Sequence, residues 1–447
     1  MAKRTSFYEC TSCGHHEPKW LGQCPSCGDW NTLIERSSRG AGSAQSSGTK
    51  SRRLSSVAAE HNSRITSGLG ELDRALGGGL MPGSTVLVGG EPGIGKSTLM
   101  LQMAGGLRGM ETLYVSGEES AAQIRQRADR LGLISDESST LSLLCTADFN
   151  DLLSEIERMT PRVVVVDSVQ TMIAADAGSV PGTVNQIKYL THELTAWAHR
   201  SKSCVMLVAH VTKEGQIAGP KVVEHMVDAV LLFEHSGSDL RFLRATKNRF
   251  GAIEEIGIFT MEHRGLVELS DPGRVFLGGE RGERPAGVVA APCYEGSRVL
   301  VVEIQALTVP AKGSVSRSFS DRIDSRRVSR VAAVLEKHAN LRFSDQDVYV
   351  NVAGGIRIQD VAIDLPLALA LFSARTGQAL PAGFLATGEL SLAGEVRPIS
   401  HQTQRERAAR EMGFAALVGP TPGAGTSSFW RGVRTLPEAV RSAFQAQ

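Results

Sequence analysis

The chain has 447 residues, 42% apolar and 5% aromatic, enough for roughly two to four domains with real cores. A formal net charge of +1 excludes a bulk polycation, so any nucleic-acid or phosphate partner has to be met by local clusters or loops. No run approaches the ~18 consecutive apolar residues of a membrane span, and MAKRTSFYEC lacks the apolar region of a secretory leader. Four of the seven cysteines fall within the first 27 residues, while Cys145, Cys204 and Cys293 stand singly in apolar settings. That is metal-site usage in a reducing compartment, and a cytoplasmic location is expected.

In chain order, residues 1–34 present two CxxC knuckles, Cys10/Cys13 and Cys24/Cys27, each followed by glycine (Gly14, Gly28). Knuckles so spaced can offer four thiolates tetrahedrally to Zn²⁺, and so short a segment needs the metal to fold. His15 and His16 are rival ligands, but four thiolates complete the shell. Residues 35–60 are rich in Ser, Gly and Arg without apolar periodicity and read as a flexible tether. From 61 to 270, the runs TVLVGG (85–90), TLYVSG (112–117), RVVVVDS (162–168) and CVMLVAH (204–210) read as buried strands. Helical spacing lies between them, at Leu99, Met100, Met103 and Leu107 and at Ile187, Leu190, Leu194 and Trp197. The alternation predicts an α/β fold with a parallel sheet covered on both faces. Residues 271–447 carry their own apolar complement and form a further folded region.

The stretch Gly90, Glu91, Pro92, Gly93, Ile94, Gly95, Lys96, Ser97, Thr98 follows a strand and opens a helix as G-x-x-x-x-G-K-S. In this context the glycines let backbone N–H groups curl around a β-phosphate, and Lys96 reaches the β/γ-phosphates. Ser97 offers its hydroxyl to Mg²⁺, and Asp167, ending VVVVD, places a carboxylate at the same edge for the metal's water shell. ATP and Mg²⁺ are the implied ligands. Glu118 and Glu119, just past the strand TLYVS, are candidates to activate water, with Glu118 favoured. His210, ending the next strand, is placed to sense the γ-phosphate. Two loops, 173–186 and 211–221, the latter with Lys213 and Lys221, project from that edge and read as partner-binding.

One segment stays ambiguous. Lys247 and Arg249 in ATKNRFG lie between the apolar-rich runs 240–243 and 253–259 and, read alone, suit a solvated turn. In extended backbone, residues two apart point to one side, which would aim both cations at one phosphate.

SGLGELDRALGGGLMPGS leading into GEPGIGKST, then YVSGEES, VVVVDSVQT and TKNRFG, all behind a CxxC…CxxC finger, resemble the RadA (Sms) family of bacterial DNA repair proteins along essentially the whole chain. The resemblance implies a RecA-like P-loop ATPase core akin to the DnaB-type helicases, preceded by a small four-cysteine zinc finger. It implies a homohexameric ring that threads single-stranded DNA, with both loops lining the channel. ATP hydrolysis would drive branch migration or unwinding of branched DNA, with the recombinase RecA and replication or repair proteins as partners and no membrane involved. Within it, Lys247 and Arg249 complete the ATP site of a neighbouring subunit. The region from about 285 onward resembles the α+β proteolytic domain of Lon, but Ile363 stands at the serine position and Thr403 at the lysine position. With neither half of the dyad present, peptidase activity is not expected. Residues 321–330 and Arg397, Arg405, Arg407 and Arg410 are candidates for phosphate contact. A regulatory ATPase acting on protein partners is the competing reading.

Overall fold

The computed structural model describes residues 6–11, 15–37, 63–133, 140–177, 180–210, 222–235, 239–253, 255–269, 276–277, 284–311, 313, 316–422 and 428–444. Cys13, the tether from residue 38 and the loop 211–221 with Lys213 and Lys221 lie outside the described residues. The chain forms two compact units, Met1–His61 and Asn62–Gln447.

The first unit is an antiparallel sheet of β1 (Ser6–Cys10), β2 (His16–Glu17) and β3 (Leu33–Ser37) in the order β2-β1-β3. Its core is Cys10, Cys24 and Leu33 with Tyr8 beside them, far too little apolar burial to offset chain entropy.

The second unit opens with α1 (Gly70–Ala75) and β4 (Thr85–Gly90), then α2 (Lys96–Gly106), β5 (Thr112–Ser116), α3 (Ala121–Arg130), β6 (Leu141–Cys145), α4 (Phe149–Met159) and β7 (Val163–Asp167). It continues through α5 (Val184–Ser201), β8 (Cys204–His210), α6 (Val222–Met226) and four antiparallel-paired strands, β9 (Ala229–His235), β10 (Leu240–Asn248), β11 (Ile256–Glu262) and β12 (Gly265–Glu268). The order is β12-β11-β10-β9-β4-β8-β7-β5-β6, parallel from β9 to β6. Val86, Val88 and Val165 enter the core on one face, and Leu87, Val164 and Val166 the core on the other. Two covered faces are why these strands read as unbroken apolar runs. The helical stripes lie where the periodicity puts them, with Leu99, Met100 and Met103 buried on α2 and Ile187, Leu190, Leu194 and Trp197 on α5.

A seven-stranded sheet follows, ordered β15-β16-β14-β13-β17-β20-β21. Its strands are β13 (Val288–Glu295), β14 (Arg298–Pro310), β15 (Ser318–Ser320), β16 (Gln346–Val352), β17 (Phe384–Ala386), β20 (Ala416–Pro420) and β21 (Trp430–Val433), with β18 (Glu389–Leu390) and β19 (Val396–Arg397) paired apart. Residues of α7 (Ser325–Ala339), α8 (Asp364–Thr376) and α10 (Leu436–Phe444) share one core, and Ala409 of α9 (Gln402–Glu411) joins a second with Val301 and Leu417. The two sheets share apolar substance, since Leu240, Phe242, Ile256 and Ile258 of β10 and β11 belong to the same core as α7 and α8. Ion pairs reinforce the contact. Arg298 reaches Glu71 of α1 at 2.7 Å, and Arg244 reaches Glu295 at 3.2 Å.

Among the basic residues expected to meet phosphate, Arg405 is a correction. It is 1% exposed, lies 2.7 Å from Asp360, and donates to the carbonyls of Pro292 and Ser400. It is a core cation rather than a surface one. Arg407 and Arg410 pair along their helix with Glu411 and Glu406, and Arg397 stands 3.9 Å from Glu389.

Candidate active site

The phosphate loop lies at the carboxyl end of β4. Gly90 tolerates no side chain, because a Cβ there would stand 2.8 Å from the Phe233 carbonyl oxygen. Gly95 caps α2 at φ 117°, a conformation open essentially to glycine. Glu91, Pro92 and Gly93 are exposed, Ile94 is buried as the loop's anchor, and Ser97 and Thr98 are half-buried at the helix start. Lys96 is 4% exposed, and its Nζ donates to the carbonyls of Gly90 at 2.8 Å and Glu91 at 2.9 Å. Burial pulls its pKa below the ordinary lysine value, opposed by the charges of Asp167, Glu118 and Glu91.

One strand, β8, separates the phosphate-loop strand from the aspartate strand, so three strand ends converge. In register, Gly90 pairs with His210 and Asp167 with Ser116. Asp167 accepts hydrogen bonds from the Tyr114 hydroxyl at 2.6 Å and from Ser97. Burial raises its pKa from the ordinary aspartate value despite those donors, and the nearby Glu118 and Glu119 charges add to the rise. A dehydrated carboxylate beside a serine hydroxyl at a helix N-terminus is a fitting oxygen set for Mg²⁺, with Lys96 and the loop amides left for phosphate oxygens.

The two adjacent glutamates, inseparable by sequence, part company here. Glu119 is ion-paired with Arg127 of α3. Glu118, the more exposed of the two, leans toward the strand ends, where its Oε1 accepts from Ser168 Oγ at 2.6 Å and lies 3.5 Å from His210 Nε2. Glu118, Asp167 and His210 are therefore gathered at one edge beside Lys96.

Lys247 and Arg249 are elsewhere. Asn248 pairs with Ala229 at the start of β9, and Ala229 pairs with Val86 near the start of β4. Both cations thus sit toward the amino edge of the sheet, while the phosphate loop is at the carboxyl edge, roughly 13 Å of strand away at ~3.3 Å per residue. A bulge between Ala245 and Lys247 turns the strand end. Lys247 Nζ donates to the carbonyls of Glu224 (2.7 Å), His225 (3.2 Å) and Val227 (2.7 Å), and Arg249 Nη1 donates to Asp228 Oδ1 at 3.0 Å. Burial, then the charge of Arg249, lowers the Lys247 pKa, as for two cations that converge.

In the first unit, the sulfurs of Cys10, Cys24 and Cys27 lie within 4.8 Å of one another, with Cys10 and Cys27 at 3.6 Å. Tetrahedral Zn–S bonds of ~2.3 Å place sulfurs about 3.8 Å apart, so the three fit a zinc centre. His15 is engaged with Glu17 at 3.0 Å. In the C-terminal sheet's domain, Ile363 is wholly buried and Thr403 is exposed on α9, so no nucleophile–base pair stands at those positions.

Sequence reasoning missed Tyr114, Ser168, Arg127 and Asp228. A tyrosine inside the otherwise apolar TLYV and an aspartate between Val227 and Ala229 were the available signals, since a buried polar group requires a partner.

Phosphate loop, neighbouring carboxylates and the ordered strand ends define a P-loop ATPase that carries a cysteine metal ribbon. Family models agree by region, with a rubredoxin metal binding domain matching residues 8–35, an AAA domain 52–216 and subunit ChlI of Mg-chelatase 321–422. Over 427 residues the chain is 50% identical to the DNA repair protein RadA of Treponema pallidum, covering 94% of this chain and 93% of that one. It is 43% identical to the RadA proteins of Brucella abortus, over 96% of this chain and 94% of that one, and of Bacillus subtilis, over 94% and 93%. The chain belongs to the RadA family of bacterial DNA repair ATPases. No helix among the described residues is long and apolar enough to cross a membrane.

Proposed function

We propose that the protein is a DNA-dependent ATPase of recombinational repair that works as a homohexameric ring on single-stranded and branched DNA. Its zinc ribbon (residues 1–34) and tether (35–60) precede an ATPase core (61–270) and a proteolytically inert C-terminal domain (271–447). Lys96 and the loop amides hold the ATP phosphates, and Ser97 and Asp167 hold Mg²⁺, which neutralises phosphate charge. Glu118 orients and deprotonates the attacking water, and His210 senses loss of the γ-phosphate. Cys10, Cys13, Cys24 and Cys27 hold Zn²⁺. The loops 173–186 and 211–221 face the DNA, and RecA and other repair proteins are the partners this work would require.

The observation that carries the ring is the separation of Arg249 and Lys247 from their own phosphate loop. A cation at the amino edge of β9 has no path to its own γ-phosphate, yet Arg249 is 54% exposed and available to another chain. The test has two arms. ATP turnover should rise severalfold on adding single-stranded oligonucleotide; turnover indifferent to DNA across salt concentrations removes the motor reading. Lys96→Ala and Arg249→Ala chains, each nearly inactive, should recover part of the turnover when co-assembled, since some interfaces then combine an intact loop with an intact finger. Mixtures that stay silent although assembled remove the finger in trans.

A further inference from the structure

After Asp167, the chain leaves the sheet through residues 168–172, and β8 loses its β7 partner after Leu207, three residues before its end, while β4 stays paired with it as far as His210. Val169 N–H still reaches the Val208 carbonyl at 3.0 Å. At His210 a side chain takes over: Gln170 Oε1 accepts the His210 N–H at 3.0 Å and Gln170 Nε2 donates to the His210 carbonyl at 3.2 Å. The amide thus reproduces an antiparallel strand pair, serving both backbone groups of one residue. A second glutamine repeats the device at Ala174, four residues after Gln170. Gln186 of α5, fully buried, accepts from Ala174 N–H at 2.9 Å and donates to its carbonyl at 3.0 Å. Between the clamps, Ile173 donates to the Ala147 carbonyl at 2.7 Å and accepts from Phe149 N–H at 3.0 Å.

The segment from Ser168, which bonds Glu118, to Ala174 is therefore pinned at nearly every turn. It joins the nucleotide edge to the loop that begins at residue 173. We infer that Gln170 is a positioning residue that couples the nucleotide-sensing strand end at His210 to the loop 173–186. Movement of the His210 backbone is passed to Gln170 through two opposed hydrogen bonds, which resist both approach and withdrawal. The inference rests on the reading of that loop as DNA-facing.

The substitution Gln170→Glu keeps the shape but sets a carboxylate oxygen against the His210 carbonyl, replacing one bond by repulsion. Burial and the facing acceptor raise that glutamate's pKa, so on acidification it protonates and again donates. The full-length protein is assayed for ATP turnover with and without an oligo-dT single strand at pH 8 and pH 6. Each variant is normalised to wild type at the same pH, so that pH effects common to both cancel. We expect Gln170→Glu to lose stimulation by DNA about tenfold at pH 8 and to recover most of it at pH 6. Gln170→Ala should be impaired equally at both. Stimulation by DNA unchanged in both variants overturns the inference, as does impairment of Gln170→Glu that ignores pH. If Gln170→Glu does not fold at pH 8, Gln170→Ala and Gln170→Asn decide, and wild-type stimulation in either overturns it. Absence of stimulation in the wild-type protein is a separate failure, that of the motor reading.

Discussion

Arg249 Nη1 lies 3.0 Å from Asp228 Oδ1, one cation half in solvent and one carboxylate only 3% exposed. The other oxygen of Asp228 accepts the Thr85 N–H at the start of the phosphate-loop strand, also at 3.0 Å. The aspartate thereby anchors both the strand and the arginine. Removing the arginine leaves that buried carboxylate without its counter-ion, which costs more than breaking an exposed pair, about 1–3 kcal/mol with the Thr85 bond retained. Removing the buried member also strips the Thr85 amide of its acceptor, at about 1–3 kcal/mol. Arg249→Ala and Asp228→Ala should therefore both melt below wild type by calorimetry, whereas Arg249→Lys, which keeps a cation beside Asp228, should melt close to wild type. Loss of turnover in Arg249→Lys is then a loss of chemistry and not of fold.

The two glutamates give a second prediction. Glu119 spends its charge on Arg127, whereas Glu118 faces Ser168 and His210. Glu118→Gln should lower kcat about a hundredfold or more, the usual scale for a lost general base. Glu119→Gln should stay within about tenfold. Steady-state hydrolysis with saturating Mg²⁺ and ATP separates them. Equal losses would mean that the pair acts as one unit.

Metal removal should act locally. Cys10 and Cys24 supply most of the small core of the first unit and, with Cys27, its metal site, so without the metal it has nothing to fold around. Cys24→Ser should lose the bound zinc, read by elemental analysis, and expose residues 6–37 to limited proteolysis. The melting transition of residues 62–447, a separate compact unit, should not shift.

Arg405 yields the fourth prediction. Its loss leaves Asp360 charged and 8% exposed without its partner, which typically costs about 3–5 kcal/mol. Arg405→Ala should therefore fold poorly. Arg407→Ala, on an exposed helix pair, should shift stability by less than about 0.5 kcal/mol, and Arg410→Ala, which also loses a stack over Phe429, by about 1 kcal/mol. Chemical denaturation of the three variants checks the ordering.

What the sequence made legible follows from which forces act locally. β4, β7 and β8 could be read because a strand covered on both faces must be apolar throughout, and the phosphate loop because its glycines answer to backbone geometry. Strand order is not local, and it decides the rest. Only the register of β9 against β4 and β10 shows that Lys247 and Arg249 face away from their own phosphate loop. Glu118 and Glu119 were inseparable until α3 brought Arg127 to one of them. Arg405 misled for a related reason. In QTQRERAARE the buried stripe of α9 is Arg405 and Ala409, so charge count conceals which arginine points inward.

The split between phosphate loop and finger has a consequence for regulation. When the two halves of one hydrolytic centre belong to different molecules, turnover per chain depends on mass action. If Arg249 completes a neighbour's site in the ring proposed above, a dilute pool of this protein would be idle, and local accumulation would itself be the switch, with ATP turned over only where enough copies have gathered to close the circle.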